Sequence, residues 1–184
     1  MPYCTLPDLV ELEKTEHSQT RFYVFVGVLV SLSAGLERAW FVMFMQGSGL
    51  KRQLAVELYY ANKSDDARRE MTDKAMSFML ADSPRLLSRW SALNTKMKNT
   101  RTRNLVSHNP VFSYHSYVEE DDGPPTRTIS HSVRQDPDRV AISKRTEAII
   151  DFDTLKKSCL AMVELHHEIE EFMCDYVQPE LRGV

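Results

Sequence analysis

Apolar residues recur at three- and four-residue spacing from Phe22 through Phe25, Leu29, Leu32, Leu36 and Trp40 to Met43. This spacing predicts one long helix over about residues 18–46. Gly47-Ser48-Gly49 supplies its stop. A second row, Tyr23, Val26, Val30, Phe41 and Phe44, makes this helix apolar on nearly every side. A helix of that kind is covered on more than one face. In a chain of 184 residues, part of that cover is expected from a second copy.

The pattern continues in shorter pieces. A helix is predicted over about residues 50–61. Another follows Ser64, with Ala67, Met71, Ala75, Phe78 and Met79 on its inner face. Ser83-Pro84 is a start signal, serine as N-cap and proline at the first helical position. From there Leu86, Trp90, Leu93 and Met97 form a stripe that leads toward residues 103–108. Pro110 stops it, because the residue before a proline is pushed out of the helical region.

Residues 111–118 and 126–133 change to strand formers, separated by the turn residues Glu119-Glu120-Asp121-Asp122-Gly123-Pro124-Pro125. A further short strand is expected over 140–143 or 148–152. A last helix is expected after Asp153, with Leu155, Cys159, Met162, His166, Ile169, Met173 and Tyr176 in register. The fold class is therefore mainly α: a helical bundle with a small antiparallel β-hairpin inserted before the last helix. One domain over 1–184 accounts for it, with the helical core at about 18–108 and 154–177 and the β insertion at about 111–152. No internal repeat interrupts that reading.

Charge and cysteine content narrow the setting. The formal net charge of -3 and pI near 6.1 exclude a strongly basic nucleic-acid coat. Positive charge is nonetheless local: Arg85, Arg89, Lys96, Lys98, Arg101 and Arg103 gather before His108. The uncharged run at 22–36, about fifteen residues, is short of the roughly twenty that a spanning helix needs. A core helix and no membrane are expected. Acidic residues precede that run where a signal peptide carries positive charge. Cys4, Cys159 and Cys174 form no spaced framework and read as free thiols in a reducing cytoplasm.

The candidate chemistry lies in Arg103-Asn104-Leu105-Val106-Ser107-His108, followed by Asn109-Pro110. Arginine holds phosphate by a permanently charged, two-pronged contact, and histidine moves protons near neutral pH. Continued in helical steps, the Trp90 stripe reaches Asn104 and His108. Arg103 then lies about 100° from Asn104 and about 140° from His108. Either the helix distorts at its end, or two copies of the motif meet across a two-fold axis. Brought together, these groups suit RNA cleavage by the neighbouring 2′-hydroxyl, leaving a 2′,3′-cyclic phosphate. His108 would serve as general base or acid, Arg103 would stabilise the phosphorane, and Asn104 would orient a group by hydrogen bonding. That reaction uses no divalent ion, and no metal or other cofactor is expected.

Arg103-Asn104-x-x-x-His108 at a helix end within a helical bundle resembles the signature of the HEPN superfamily. The resemblance covers the helical frame, 18–108 and 154–177, and at residue level only the hexapeptide. It implies a homodimeric, metal-independent endoribonuclease with two motifs lining a shared cleft. It also implies RNA as substrate, a toxin, phage-defence or RNA-processing role, and an antitoxin or regulatory partner protein. Some members are non-catalytic, so the alternative is a dimer that binds nucleotide, RNA or a partner as a regulatory module. Lys98 and Arg101 are the candidate RNA- or phosphate-binding residues. Many members use a polar residue from another helix beside the motif, and Glu37, stranded in the apolar first helix, is the candidate. Active members often carry a tyrosine two places after the histidine. This chain has Pro110 there, and Tyr114 would take that part if its strand folds back.

Rival sites are weaker. Glu164-Leu165-His166-His167 contains a Glu-x-x-His spacing, but no second copy and too few carboxylates for a di-metal bundle site. His166 is expected in the core stripe and His167 at the surface. His115 and His131 are expected to face each other across the hairpin. Cys159 and Cys174 lie on one helix without a nearby histidine pattern and are expected as buried thiols.

Overall fold

The computed structural model describes residues 18–98, 100, 106, 111–118, 126–134 and 149–177, and among them the chain is mainly helical. Its helices are α1 (Ser18–Ser48), α2 (Arg52–Ala61), α3 (Asp65–Met79), α4 (Pro84–Lys98) and α5 (Phe152–Val177). Three strands, β1 (Val111–Val118), β2 (Thr126–Arg134) and β3 (Ile149–Ile150), form an antiparallel sheet in the order β1-β2-β3.

Local chemistry sets the helix ends. Gly49 takes φ 64, a left-handed conformation that glycine adopts without strain, and its N–H donates to the Gln46 carbonyl at 3.3 Å. Asn62 closes α2 by donating through its side-chain amide to the Leu58 carbonyl at 3.1 Å. Ser64 caps α3, its hydroxyl accepting from the Ala67 N–H at 3.4 Å, with Asp65 and Asp66 at the positive end of the helix dipole. The cap of α5 is Asp151, whose carboxylate accepts from the Thr154 N–H at 2.8 Å. The helix therefore begins at Phe152, slightly before the expected start after Asp153.

The chain divides into two compact units, Met1–Leu32 with Arg101–Ala161 and Ser33–Thr100 with Met162–Val184. In the first, Phe22, Phe25, Leu29 and Leu32 of α1 are buried, as are Val106, Val133, Ile150, Leu155 and Cys159. Phe152 meets Phe25 edge-on at 5.2 Å, and the Arg21 guanidinium lies 4.6 Å from the Phe152 ring centre. The Cys159 thiol donates to the Phe25 carbonyl at 3.6 Å. The short strand falls at Ile149–Ile150, within the second of the two windows expected for it; residues 140–143 lie outside the described residues.

In the second unit, Trp40 packs on Trp90 at 5.1 Å and Trp90 on Phe172 at 6.0 Å. The Trp90 indole N–H donates to Asp73 at 2.8 Å, satisfying its one polar atom inside the core. Phe41, Phe44, Ala55 and Tyr59 form a second cluster where α2 covers the end of α1. Gly47 permits a close approach: a Cβ there would lie 2.9 Å from backbone atoms of Ala75 and Met76.

Two features depart from the periodic reading. Phe78 and Met79, expected on the inner face of α3, are 86% and 49% exposed. The buried positions are Thr72, Met76 and Leu80. Thr72 can be buried because its hydroxyl donates to the Arg68 carbonyl at 2.9 Å. The second difference is that the all-round apolar character of α1 does not translate into all-round cover. Tyr23 and Val30 remain open to solvent, while Phe41 and Phe44 are buried by this chain's own α2.

Candidate functional site

Of the hexapeptide, only Val106 is among the described residues; it is helical and buried. Arg103, Asn104 and His108 lie outside them, as does Arg101. The approach to the motif is described and corrects one expectation. The helix carrying Trp90 does not run on unbroken to Pro110, because α4 ends at Lys98 and Thr100 is not helical. Thr100 closes the end instead, its N–H donating to the Met97 carbonyl at 3.2 Å and its hydroxyl to the same oxygen at 2.7 Å. The angular phase of Trp90 and Leu93 therefore cannot be carried through to Asn104 and His108, since helical periodicity holds only along one continuous helix.

The cationic run before the motif is partly consumed. Arg89 pairs with Asp175, and Lys96 pairs with Glu168, both acids on α5. Arg85 and Lys98 are exposed, Lys98 in the last turn of α4, where a cation complements the helix dipole. A shallow groove of about 680 Å³ runs along α4. Ser88, Ser91 and Thr95 give it a row of hydroxyls beside Leu87 and Lys96.

Glu37 has a partner that its sequence position did not suggest. Its carboxylate lies 3.0 Å from the Arg68 guanidinium, and Arg68 also pairs with Asp65. The same guanidinium donates to the Asn62 carbonyl at 2.9 Å and stands 5.9 Å from the Tyr59 ring centre. Burial pushes the Tyr59 hydroxyl well above its ordinary pKa, and the negative charge of Glu37 adds to that. Arg68 thus joins α1, α2 and α3 through one permanently charged fork. Sequence reasoning missed it. The available signal was Glu37 itself, an anion in an apolar helix that requires a cation from elsewhere.

Tyr114 lies on β1, paired in register with Ser130. The register sets His115 against Ile129 and His131 against Ser113, so the two histidines are not directly opposed as expected. On α5, His166 is 6% exposed in the core stripe. His167 is at the surface, its ring nitrogen 3.9 Å from Glu170. Among the described residues, no group of three or more His, Cys, Asp and Glu is arranged to hold a metal ion. Cys159 is buried as expected, whereas Cys174, expected buried, is exposed; neither is in a disulfide. Helix α1, over Gln19–Ser48, is long and apolar enough to cross a bilayer by length and composition alone. Its strongest apolar stripe, Phe22 to Met43, is nevertheless almost fully buried against protein.

Compared with protein-family models, curated proteins and solved structures, the chain matches none.

Proposed function

We propose that the chain is a HEPN-type, metal-independent endoribonuclease acting as a homodimer, with a hairpin insertion in a frame of four or five helices. The observation that carries this reading is the spacing Arg103-Asn104-x-x-x-His108 in a mainly helical chain. Arg103 holds the scissile phosphate and neutralises charge on the phosphorane. His108 moves the proton of the attacking 2′-hydroxyl or of the leaving oxygen, and Asn104 orients one of them. Exposed Lys98, with Arg101, supplies further phosphate contacts. A cytoplasmic toxin or defence protein held in check by an antitoxin or regulatory partner is the role that fits. Helix α1 is read as a core helix in that setting.

A second reading is a non-catalytic dimer that binds RNA, nucleotide or a partner protein through the same arginine. It is favoured by Glu37, whose carboxylate is engaged by Arg68 and so is taken from the supporting part expected beside the motif. Incubation of the protein with RNA in excess chelator, beside Arg103→Ala and His108→Ala, separates the two. Cleavage that resists chelator and falls at least about 100-fold in both variants is expected, the usual scale for loss of an acid–base or charge-stabilising group. Equal cleavage by all three preparations removes the site. Binding of RNA without cleavage, weakened by Arg103→Ala alone, selects the second reading.

A further inference from the structure

The sheet order leaves the outer edge of β1 without a neighbouring strand among the described residues. Natural sheets blunt such edges with charges, prolines, bulges or a short strand. Strand β2 follows that practice: β3 covers its Val133–Arg134 end, and Arg127 and Arg134 lie along it. Strand β1 does not. Its eight residues, Val111-Phe112-Ser113-Tyr114-His115-Ser116-Tyr117-Val118, contain no Lys, Arg, Asp, Glu, Pro or Gly.

That octapeptide also reads nearly the same in both directions. Laid antiparallel on a second β1, about an axis between Tyr114 and His115, it sets Val111 opposite Val118 and Phe112 opposite Tyr117. Ser113 then meets Ser116, and Tyr114 meets His115. Valine meets valine, serine meets serine and ring meets ring in the other two pairs, and each pair occurs twice about the two-fold axis. The pairing with β2 matches only in part: Val111 stands opposite Val133 and Ser116 opposite Thr128, but Phe112 stands opposite Ser132, Tyr114 opposite Ser130 and Tyr117 opposite Arg127. The hairpin therefore does not account for the whole pattern.

We propose that β1 is a self-recognition strand: a second copy of this chain adds its own β1 antiparallel along this edge, joining the two sheets into one. Main-chain hydrogen bonds supply the affinity, and the like-with-like side-chain pairs fix the register. The axis places the two Val111 positions seven residues apart along the paired strands, about 23 Å at the rise of a strand.

Sedimentation of the wild type, Ser113→Lys/Ser116→Lys and Ser113→Glu/Ser116→Glu tests this. In either variant alone, two like-charge pairs stand directly opposite each other across the seam. Association should weaken by roughly tenfold or more, and the particle mass should halve. Mixing the two variants should restore the wild-type mass as a one-to-one assembly, which also shows that the hairpin survives substitution. Amide exchange of the unaltered protein gives an independent readout: protection over 111–118 should rise with concentration. Wild-type mass in either variant alone, no association of the wild type, or exchange over 111–118 independent of concentration overturns the proposal. Mass and exchange do not depend on cleavage, so a negative RNA assay and a negative seam are separate results.

Discussion

Tyr23 and Val30, in the first half of α1, are 50% and 38% exposed; Phe41 and Phe44, in the same second row further along, are 8% and 4% exposed. Residue type does not explain the difference: Tyr23 carries a hydroxyl, but Val30 is wholly apolar, as Phe41 and Phe44 are. The second half has α2 against it, with Ala55 and Tyr59 filling the space between Phe41 and Phe44. No described element covers Tyr23 and Val30 to that degree. Periodicity thus reports that a face is apolar, whereas its burial is decided by whether a distant segment arrives to cover it.

The largest effect expected from this contrast comes from truncating one ring in each half. Phe44→Ala should cost about 3–5 kcal/mol, the range for removing a buried aromatic side chain. Tyr23→Ala should change stability by about 0.5 kcal/mol or less, as for a surface position. Urea unfolding of both variants over a range of protein concentrations measures the pair. A Tyr23→Ala cost that grows with protein concentration would instead place a second copy on the first half of α1. Equal costs at every concentration would break the comparison.

A middle-sized effect should come from Arg68, which holds Glu37 at the start of the covered half. Its side chain is 14% exposed, and it makes two carboxylate contacts and one to a carbonyl. Arg68→Met should cost about 1–3 kcal/mol, chiefly because partly buried acceptors lose their donor. Glu37→Gln should cost less, and the double variant less than the sum, as required of directly coupled groups. An RNA-cleavage assay sharpens the point. If Glu37 serves only as an anchor, Glu37→Gln lowers the melting temperature and leaves cleavage by the folded protein unchanged.

Legibility in the sequence follows the same division between local and distant causes. The starts of α3 and α4 were readable because their signals are local: the Ser64 hydroxyl accepts from the Ala67 N–H three residues on, and Pro84 stands at the first helical position. Phe78 and Met79 misled because a spacing rule cannot tell which of two adjacent stripes meets a neighbour. Thr72 won a buried place through a local hydroxyl bond that hydrophobicity does not register. The Glu37–Arg68 pair was out of reach because its partners are far apart in sequence. At the candidate site, the spacing of Arg103, Asn104 and His108 was visible, and the end of α4 at Lys98 was overlooked. Its signal is the weaker kind, Asn99 directly after Lys98 with Lys96 and Lys98 in the last turn, in place of a glycine or proline.

The smallest test acts on the segment that covers the first half of α1. Phe152, against Phe25, begins α5, and the preceding Asp151 fixes that start by accepting the Thr154 N–H. Asp151→Ala should cost about 1 kcal/mol, the usual value of an N-cap, and Asp151→Asn much less, because asparagine caps nearly as well. The hydrogen bonding with Thr154 holds the Asp151 carboxyl below its ordinary pKa. A folded-state pKa lowered in this way gives a contribution that is full above the ordinary carboxylate range. It disappears as pH falls through the folded-state value. Thermal melts should therefore separate wild type from Asp151→Ala at pH 7 and narrow that gap as the pH falls through the folded-state value, leaving the weaker cap of a neutral carboxyl, while Asp151→Asn keeps its cap throughout. A gap between wild type and Asp151→Ala that is unchanged in acid would mean that the cap works without its charge.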